Sequence, residues 1–161
     1  MRRAIGLKMK KKRRVRCQGI VIKENRILVL RQFNSRTKEE YWMLPGGGKE
    51  EHETSEEGVV RELKEETNLD VKVLDLIEDD SEPGIDCYKS YKTFICEPLN
   101  LEEMQAGKED SGVTFILELV WVDIHNEKGW NNYLLKDQFY PSMKTIQTIL
   151  INRNKTLETH D

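Results

Sequence analysis

The chain has 161 residues, of which 37% are hydrophobic and 34% charged, and its formal net charge is −3 at pH 7. This length predicts one domain with one core, and no apolar run approaches the roughly 18 residues of a membrane-spanning helix. The three cysteines, Cys17, Cys87 and Cys96, are odd in number and show no CxxC spacing. They argue against a disulfide framework or a zinc site and predict ordinary buried thiols in a reducing, cytoplasmic setting.

The first 16 residues carry nine Lys or Arg and no acidic residue, which leaves the rest of the chain acidic. This segment lacks the apolar stretch of a secretory signal peptide. We expect residues 1–14 to form a flexible, solvated arm, 15–152 to form the domain and 153–161 to form a polar tail. Contact of the arm with nucleic acid or anionic lipid is the alternative.

Two β-branched segments at 15–22 and 26–32, separated by a short polar stretch, predict a hairpin. The segment "YWMLPGGGKEE" then indicates a short strand that ends in glycines. Further downstream, three segments are typical of strands: 71–78, 88–97 and 113–123. The periodicity of 140–152, with a proline near its start, predicts a helix. Together these elements predict an α+β fold in which helices flank a mixed sheet.

The clearest predicted helix covers 54–67, "TSEEGVVRELKEET". Thr54 is a suitable N-cap residue, and Glu57 supplies the acidic residue of a capping box. Asn68 readily adopts the left-handed conformation that ends a helix. Both ends of this helix are therefore marked in the sequence.

Three carboxylates of this helix, Glu62, Glu65 and Glu66, fall within an arc of about 100°. Arg61 and Lys64 project to another side, so no residue within the helix is expected to neutralise this face. Like charges at this spacing destabilise an isolated helix by a few tenths of a kcal/mol per pair. A hard cation such as Mg²⁺, which prefers carboxylate oxygens, would compensate them. A solvated face neutralised by Lys and Arg is the alternative.

The same residues belong to a longer pattern with fixed spacing. Gly47 is followed after five residues by Glu53, and after seven more by "RELKEETNL", residues 61–69. This pattern resembles the Nudix box of the Nudix hydrolase superfamily. Asn68 stands where the family pattern has glycine, and asparagine is the next best residue for a left-handed conformation. The resemblance implies a mixed β-sheet sandwiched between helices.

By this resemblance, Glu62, Glu65 and Glu66 match the family's catalytic metal ligands, which hold Mg²⁺, with Mn²⁺ as the alternative. Glu53 and Arg61 match a structural pair that ties the loop to the helix, and Glu53 is also a candidate to reach a metal. The backbone expected to approach a bound phosphate or metal comprises three glycines, Gly46, Gly47 and Gly48.

Further candidates lie outside the box. Glu118, on the last predicted strand, is a candidate extra ligand or general base, and an outward-facing strand residue is the alternative. Glu102 and Glu103, in the long acidic connection, compete for the same role. Trp130 and Tyr133 are candidates to stack on a nucleobase, unless they fill the core instead.

The resemblance implies hydrolysis of a diphosphate bond in a nucleoside diphosphate linked to another moiety, by metal-activated water. Two alternatives stay open: an RNA 5′-end pyrophosphohydrolase that grips RNA with the basic arm, and a catalytically silent Nudix-fold nucleotide-binding module. Pro83 and Tyr88 each fall just outside the family spacings for ADP-ribose and for diadenosine polyphosphates, so neither substrate is assigned. The expected partner is a small nucleotide, with no membrane contact. The oligomeric state is open, a homodimer included.

Overall fold

The structure, a computed structural model, describes residues 14–79, 88–107, 112–126 and 143–159. Within these ranges it contains, in chain order, β1 Arg14–Lys23, β2 Arg26–Asn34, β3 Glu39–Met43, β4 Gly46–Gly48, α1 Ser55–Thr67, β5 Val71–Asp79, β6 Tyr88–Pro98, a 3₁₀ helix Leu101–Glu103, β7 Thr114–Asp123 and α2 Met143–Glu158. Neither helix of the described ranges combines the length and the apolar character needed to cross a membrane.

The predicted hairpin and the three downstream strands are confirmed. Helix α2 runs to Glu158, beyond the predicted end at residue 152. Residues 153–158, predicted as a polar tail, therefore continue this helix. The glycines also differ from the prediction. Gly46–Gly48 form strand β4 and not a loop.

Strand β1 organises a mixed sheet. It pairs in parallel with β6 and antiparallel with β4, and β6 pairs antiparallel with β5. Strand β2 contacts β1 only near the hairpin, at Ile22 opposite Ile27 and Lys23 opposite Arg26, and then pairs antiparallel with β3 and β7. The two hairpin strands therefore diverge, and the β4 glycines lie along β1 where β2 has left it.

The core has two layers, one on each face of the sheet. On one face, Ile20 and Ile27 pack with Ile146 and Leu150 of α2. On the other, Val21 and Leu28 belong to a cluster with helix α1. Neighbouring strand residues alternate between the two clusters because strand side chains have a period of two. The helices sandwich a mixed sheet, which confirms the predicted α+β class.

Cys17 and Cys96 are buried free thiols, as predicted. Burial raises the pKa of Cys96 to about 12, so its thiol stays protonated and unreactive at neutral pH. Cys87 lies outside the described residues.

The ends of α1 follow the sequence signals. The Thr54 side chain accepts a hydrogen bond of 3.1 Å from the backbone N–H of Glu57, which is the expected N-cap contact. Asn68 has a φ of 60°, and its backbone N–H donates to the Lys64 carbonyl. The helix therefore begins and ends at the predicted positions, and its register fixes which side chains face the sheet.

Candidate active site

Helix α1 places two of its three predicted carboxylates next to strand β4. The Glu62 side chain is 15% exposed, and Glu66 as a residue is 5% exposed. A Cβ atom added to Gly47 would lie 2.5 Å from the Glu62 carboxylate, so the missing side chain makes room for this acid. Glu65 differs because its side chain is 57% exposed. The structure thus brings Glu62 and Glu66 together with the β4 backbone.

Glu66 is a buried carboxylate held by the strands. Its Oε1 accepts a hydrogen bond of 2.6 Å from the backbone N–H of Gly46, and its Oε2 accepts one of 3.2 Å from Nε2 of Gln32. The buried guanidinium of Arg16 interacts electrostatically with Glu66 and with Glu62. These contacts offset the cost of removing the carboxylate from water.

Arg61 ties the segment after β4 to the helix. Its Nε and Nη2 donate to the two carboxylate oxygens of Glu53, at 3.0 and 2.7 Å. Nη2 also donates to the Gly48 carbonyl at 3.2 Å. The paired geometry lowers the pKa of Glu53 to about 2, chiefly through the hydrogen bonds from Arg61. The contact that the resemblance implied between Glu53 and Arg61 is therefore present.

One expectation about the carboxylate face is wrong. Nη1 of Arg61 donates to Glu62 at 3.0 Å and to Glu65 at 3.2 Å, so a residue of the same helix does neutralise part of this face. The projection located Arg61 by its Cα direction, and the long side chain reaches around the helix. Burial still raises the pKa of Glu62, and Arg61 offsets only part of that effect.

The carboxylates of Glu62, Glu65 and Glu66 are suitable ligands for a hard divalent cation, but they do not form a complete coordination site. In the described ranges, no group of three His, Cys, Asp or Glu residues is arranged to hold a metal ion. The oxygens of Glu62, Glu65 and Glu66 are the kind of ligand that Mg²⁺ prefers. A cation bound by Glu62 and Glu65 together would compete with Nη1 of Arg61 for these carboxylates, while the contact between Arg61 and Glu53 can remain.

The structure does not bring Glu118 to this site. Its carboxylate accepts a hydrogen bond of 2.9 Å from Nε of Arg31, and Arg31 also donates to Glu40 and lies over the Trp42 ring. Trp42 packs against the α2 side of the core. Glu118 therefore lies on the opposite face of the sheet from Glu66, because neighbouring strand positions alternate between faces.

Of the other candidates, Glu102 and Glu103 lie in the 3₁₀ helix that follows β6. Glu103 accepts a hydrogen bond of 2.8 Å from the Asn100 side chain, and Glu102 is exposed. Trp130 and Tyr133 lie outside the described residues. Among the described candidates, the structure groups the box residues with the β4 glycines, and the roles of Trp130 and Tyr133 stay predictions.

Two residues near the site were not anticipated from the sequence. Arg16 and Gln32 are each 6% exposed although both side chains are polar. Their strands are distant from the box in sequence. The sequence held one signal for Gln32: it is a polar residue that continues the face of a predicted strand formed by Leu28 and Leu30.

Comparison with known proteins agrees with this geometry. The sequence model of the NUDIX domain matches residues 12–142. The ADP-ribose pyrophosphatase of Methanocaldococcus jannaschii is 46% identical over 72 residues, which are 45% of this chain and 42% of that protein. The RNA pyrophosphohydrolase of Zymomonas mobilis is 41% identical over 59 residues, which are 37% of this chain and 38% of that protein.

A solved structure extends the similarity to most of the chain. The crystal structure of a NUDIX hydrolase from Nitrosomonas europaea superposes with a TM-score of 0.63 at 25% identity, and the match covers 90% of this chain and 74% of that one. The matches to the two curated relatives span less than half of their lengths. Because the NUDIX domain model matches most of the sequence and the fold agrees, the chain belongs to the Nudix hydrolase family.

Proposed function

We propose that the protein hydrolyses the diphosphate bond of a nucleoside diphosphate linked to another moiety, in a reaction that depends on a divalent metal. The observation that carries this proposal is the pair of carboxylates, Glu62 and Glu66, buried against the β4 glycines. Two carboxylates packed against a strand that carries no side chains suit a substrate that carries phosphates with their metal counter-ions.

Glu62, Glu65 and Glu66 would hold the metal, which we propose is Mg²⁺, with Mn²⁺ as the alternative. Such an ion supplies an activated water and neutralises charge on the diphosphate. The water oxygen bonds to one phosphorus, the P–O–P bond breaks, and both products leave as phosphate monoesters. The pair of Glu53 and Arg61 keeps β4 and α1 in register, since Arg61 contacts both Glu53 and the Gly48 carbonyl.

The substrate class is supported by the name of one relative. The protein from M. jannaschii is an ADP-ribose pyrophosphatase, and ADP-ribose is a nucleoside diphosphate linked to a sugar. A second candidate function is removal of pyrophosphate from RNA 5′ ends. It is favoured by the similarity to an RNA pyrophosphohydrolase and by the nine basic residues among the first 16.

A substrate panel with Mg²⁺ tests both functions. We expect the full chain to convert ADP-ribose, or another linked nucleoside diphosphate, into two monophosphates that chromatography resolves. Release of pyrophosphate from a 5′-triphosphorylated RNA, with a steep loss at high salt and on deletion of residues 1–13, would favour the RNA function. Binding of nucleotides without turnover of any substrate would instead identify a silent binding module.

A further inference from the structure

Gln32 lies on the buried face of β2, where the alternation of side chains predicts an apolar residue. On β2, Leu28 belongs to the core cluster under α1, and Leu30 is fully buried. Gln32 is the next residue on this face, and it is 6% exposed. A buried amide without hydrogen bonds destabilises the folded state, so a specific partner is required.

That partner is Glu66. Nε2 of Gln32 holds Oε2 of Glu66 at 3.2 Å, while the Gly46 N–H holds Oε1 at 2.6 Å. Because each oxygen has its own donor, the carboxylate cannot rotate about its last bond without breaking a hydrogen bond. An ionised carboxylate offers about four lone pairs, so these two hydrogen bonds do not by themselves exclude a cation.

A β-bulge in strand β7 lies opposite Arg31 and Gln32. Arg31 pairs with Glu118 of β7, whereas Gln32 pairs with Ile116, so Leu117 is an extra residue on β7. Bulges of this kind re-aim side chains and increase local twist. Strand β2 itself is regular and keeps an unshifted register with β3. Because neighbouring residues of a regular strand face opposite sides, Arg31 contacts Glu118 on one face and Gln32 contacts Glu66 on the other.

We propose that Gln32 is a positioning residue for Glu66: it fixes the orientation in which this carboxylate receives the metal. The proposal rests on the proposed function, because it assigns Glu66 a metal-binding role. Gln32 itself touches neither metal nor substrate in this scheme. Partners of metal ligands typically change metal affinity or activity 10–100-fold when they are removed.

The first test uses Mg²⁺ alone, without substrate. Gln32→Met keeps the length of the side chain and removes its donor. The control is Leu28→Met, which places a methionine at a fully buried position on the same face of β2 without removing a hydrogen-bond donor. Titrations followed by thermal shift give the apparent Kd for Mg²⁺. We expect Gln32→Met to raise this Kd roughly tenfold or more and Leu28→Met to leave it unchanged.

A double-mutant cycle separates positioning from general stabilisation. If Gln32 acts through Glu66, Gln32→Met has little further effect on Mg²⁺ affinity or kcat in a Glu66→Gln background. In the parent background, kcat falls more than KM changes. Equal losses in both backgrounds would overturn the proposal.

Three other outcomes distinguish misfolding, failure of the proposed function and failure of the positioning role. If Gln32→Met does not fold, Gln32→Asn, whose amide is too short to keep the contact, takes its place in every comparison. If the parent shows neither Mg²⁺-dependent stabilisation nor hydrolysis, the proposed function fails, and this inference fails with it. If the parent behaves as proposed but the Gln32 variant matches it in Mg²⁺ affinity and kcat, only the positioning role is lost.

Discussion

Two clusters of glutamates, each centred on one arginine, lie on opposite faces of the sheet. The Arg61 cluster contains Glu53, Glu62 and Glu65. The Arg31 cluster contains Glu40 and Glu118. Both have the same residue types and hydrogen bonds close to 3 Å, so composition and distance do not distinguish them.

Burial distinguishes two acids of the Arg61 cluster from those of the Arg31 cluster. The side chains of Glu53 and Glu62 are 8% and 15% exposed, whereas those of Glu40 and Glu118 are 52% and 44% exposed. Glu65, the third acid of the Arg61 cluster, is 57% exposed. Charges interact more strongly where water is excluded, and exposed ion pairs contribute about 0–1 kcal/mol. The Arg61 cluster also adjoins Glu66 and the β4 backbone. The difference teaches that a candidate acid is better judged by its surroundings than by its strand or its charge.

The largest effect is expected at the buried acid beside the Arg61 cluster. Glu66→Gln should lower turnover by orders of magnitude, because the amide loses the charge that holds a divalent ion. Its stability without metal should also fall, by about 1 kcal/mol, since the hydrogen bonds from Gly46 and Gln32 lose their charged acceptor. Melting curves with and without Mg²⁺, beside turnover on a substrate from the panel, measure both effects.

The control for this variant is Glu56→Gln, an exposed acid on the same helix. It should keep the turnover and the Mg²⁺ shift of the parent. Undiminished turnover and metal shift in Glu66→Gln would contradict the metal-binding role of this face.

The second-largest effect is expected at two neighbouring glycines of β4, where the same substitution should lower turnover at one position and stability at the other. In Gly47→Ala the new Cβ would meet the Glu62 carboxylate at 2.5 Å, and this side chain can move aside. We expect a folded protein with a weaker Mg²⁺ shift and much lower turnover. In Gly46→Ala the Cβ would meet the Cys17 carbonyl at 2.3 Å, which is fixed backbone. That variant should mainly lose stability. Urea unfolding and turnover measurements on both variants distinguish these effects. A fully active Gly47→Ala would refute the close contact between Gly47 and the Glu62 carboxylate.

The helix of the site could be predicted because its signals are local. Thr54 and Asn68 mark its ends, and the spacing of Glu62 and Glu66 defines one face. The class of fold followed from the strand pattern. These features depend on neighbouring residues along the chain, which a sequence shows directly.

The rest depends on contacts between distant segments or on side-chain reach. Gln32 lies 34 positions from its partner Glu66, and no local pattern connects them. The glycines were expected to follow a short strand as a loop, but Gly46–Gly48 pair with β1 as a strand of their own. Arg61 was placed by its helical angle, which ignores the length of its side chain. A projection gives Cα directions, whereas the site is built from side-chain ends.

A third, smaller effect concerns the pH dependence of the Arg61 cluster. The pKa of Glu53 is lowered from its ordinary 4.5 to about 2. A lowered acid pKa contributes stability that is fully present above 4.5 and is lost as the pH falls through 2. Glu53→Gln should therefore be less stable than the parent by about 2 kcal/mol at pH 7, and the difference should vanish near pH 2. Urea unfolding across this range checks it; a difference that is constant with pH would contradict the ion pair.

The smallest effect is expected in the Arg31 cluster. Glu118→Gln removes one charge from an exposed pair, and Arg31 keeps its contact with Glu40, so no buried charge is left without compensation. Stability should change by less than about 1 kcal/mol, with turnover and Mg²⁺ shift unchanged. The measurement is kcat on the substrate of the parent, with melting curves as the check on folding. A large fall in kcat with an intact Mg²⁺ shift would restore Glu118 as a catalytic acid or base. It would also show that exposure and position on the opposite face do not separate the two clusters.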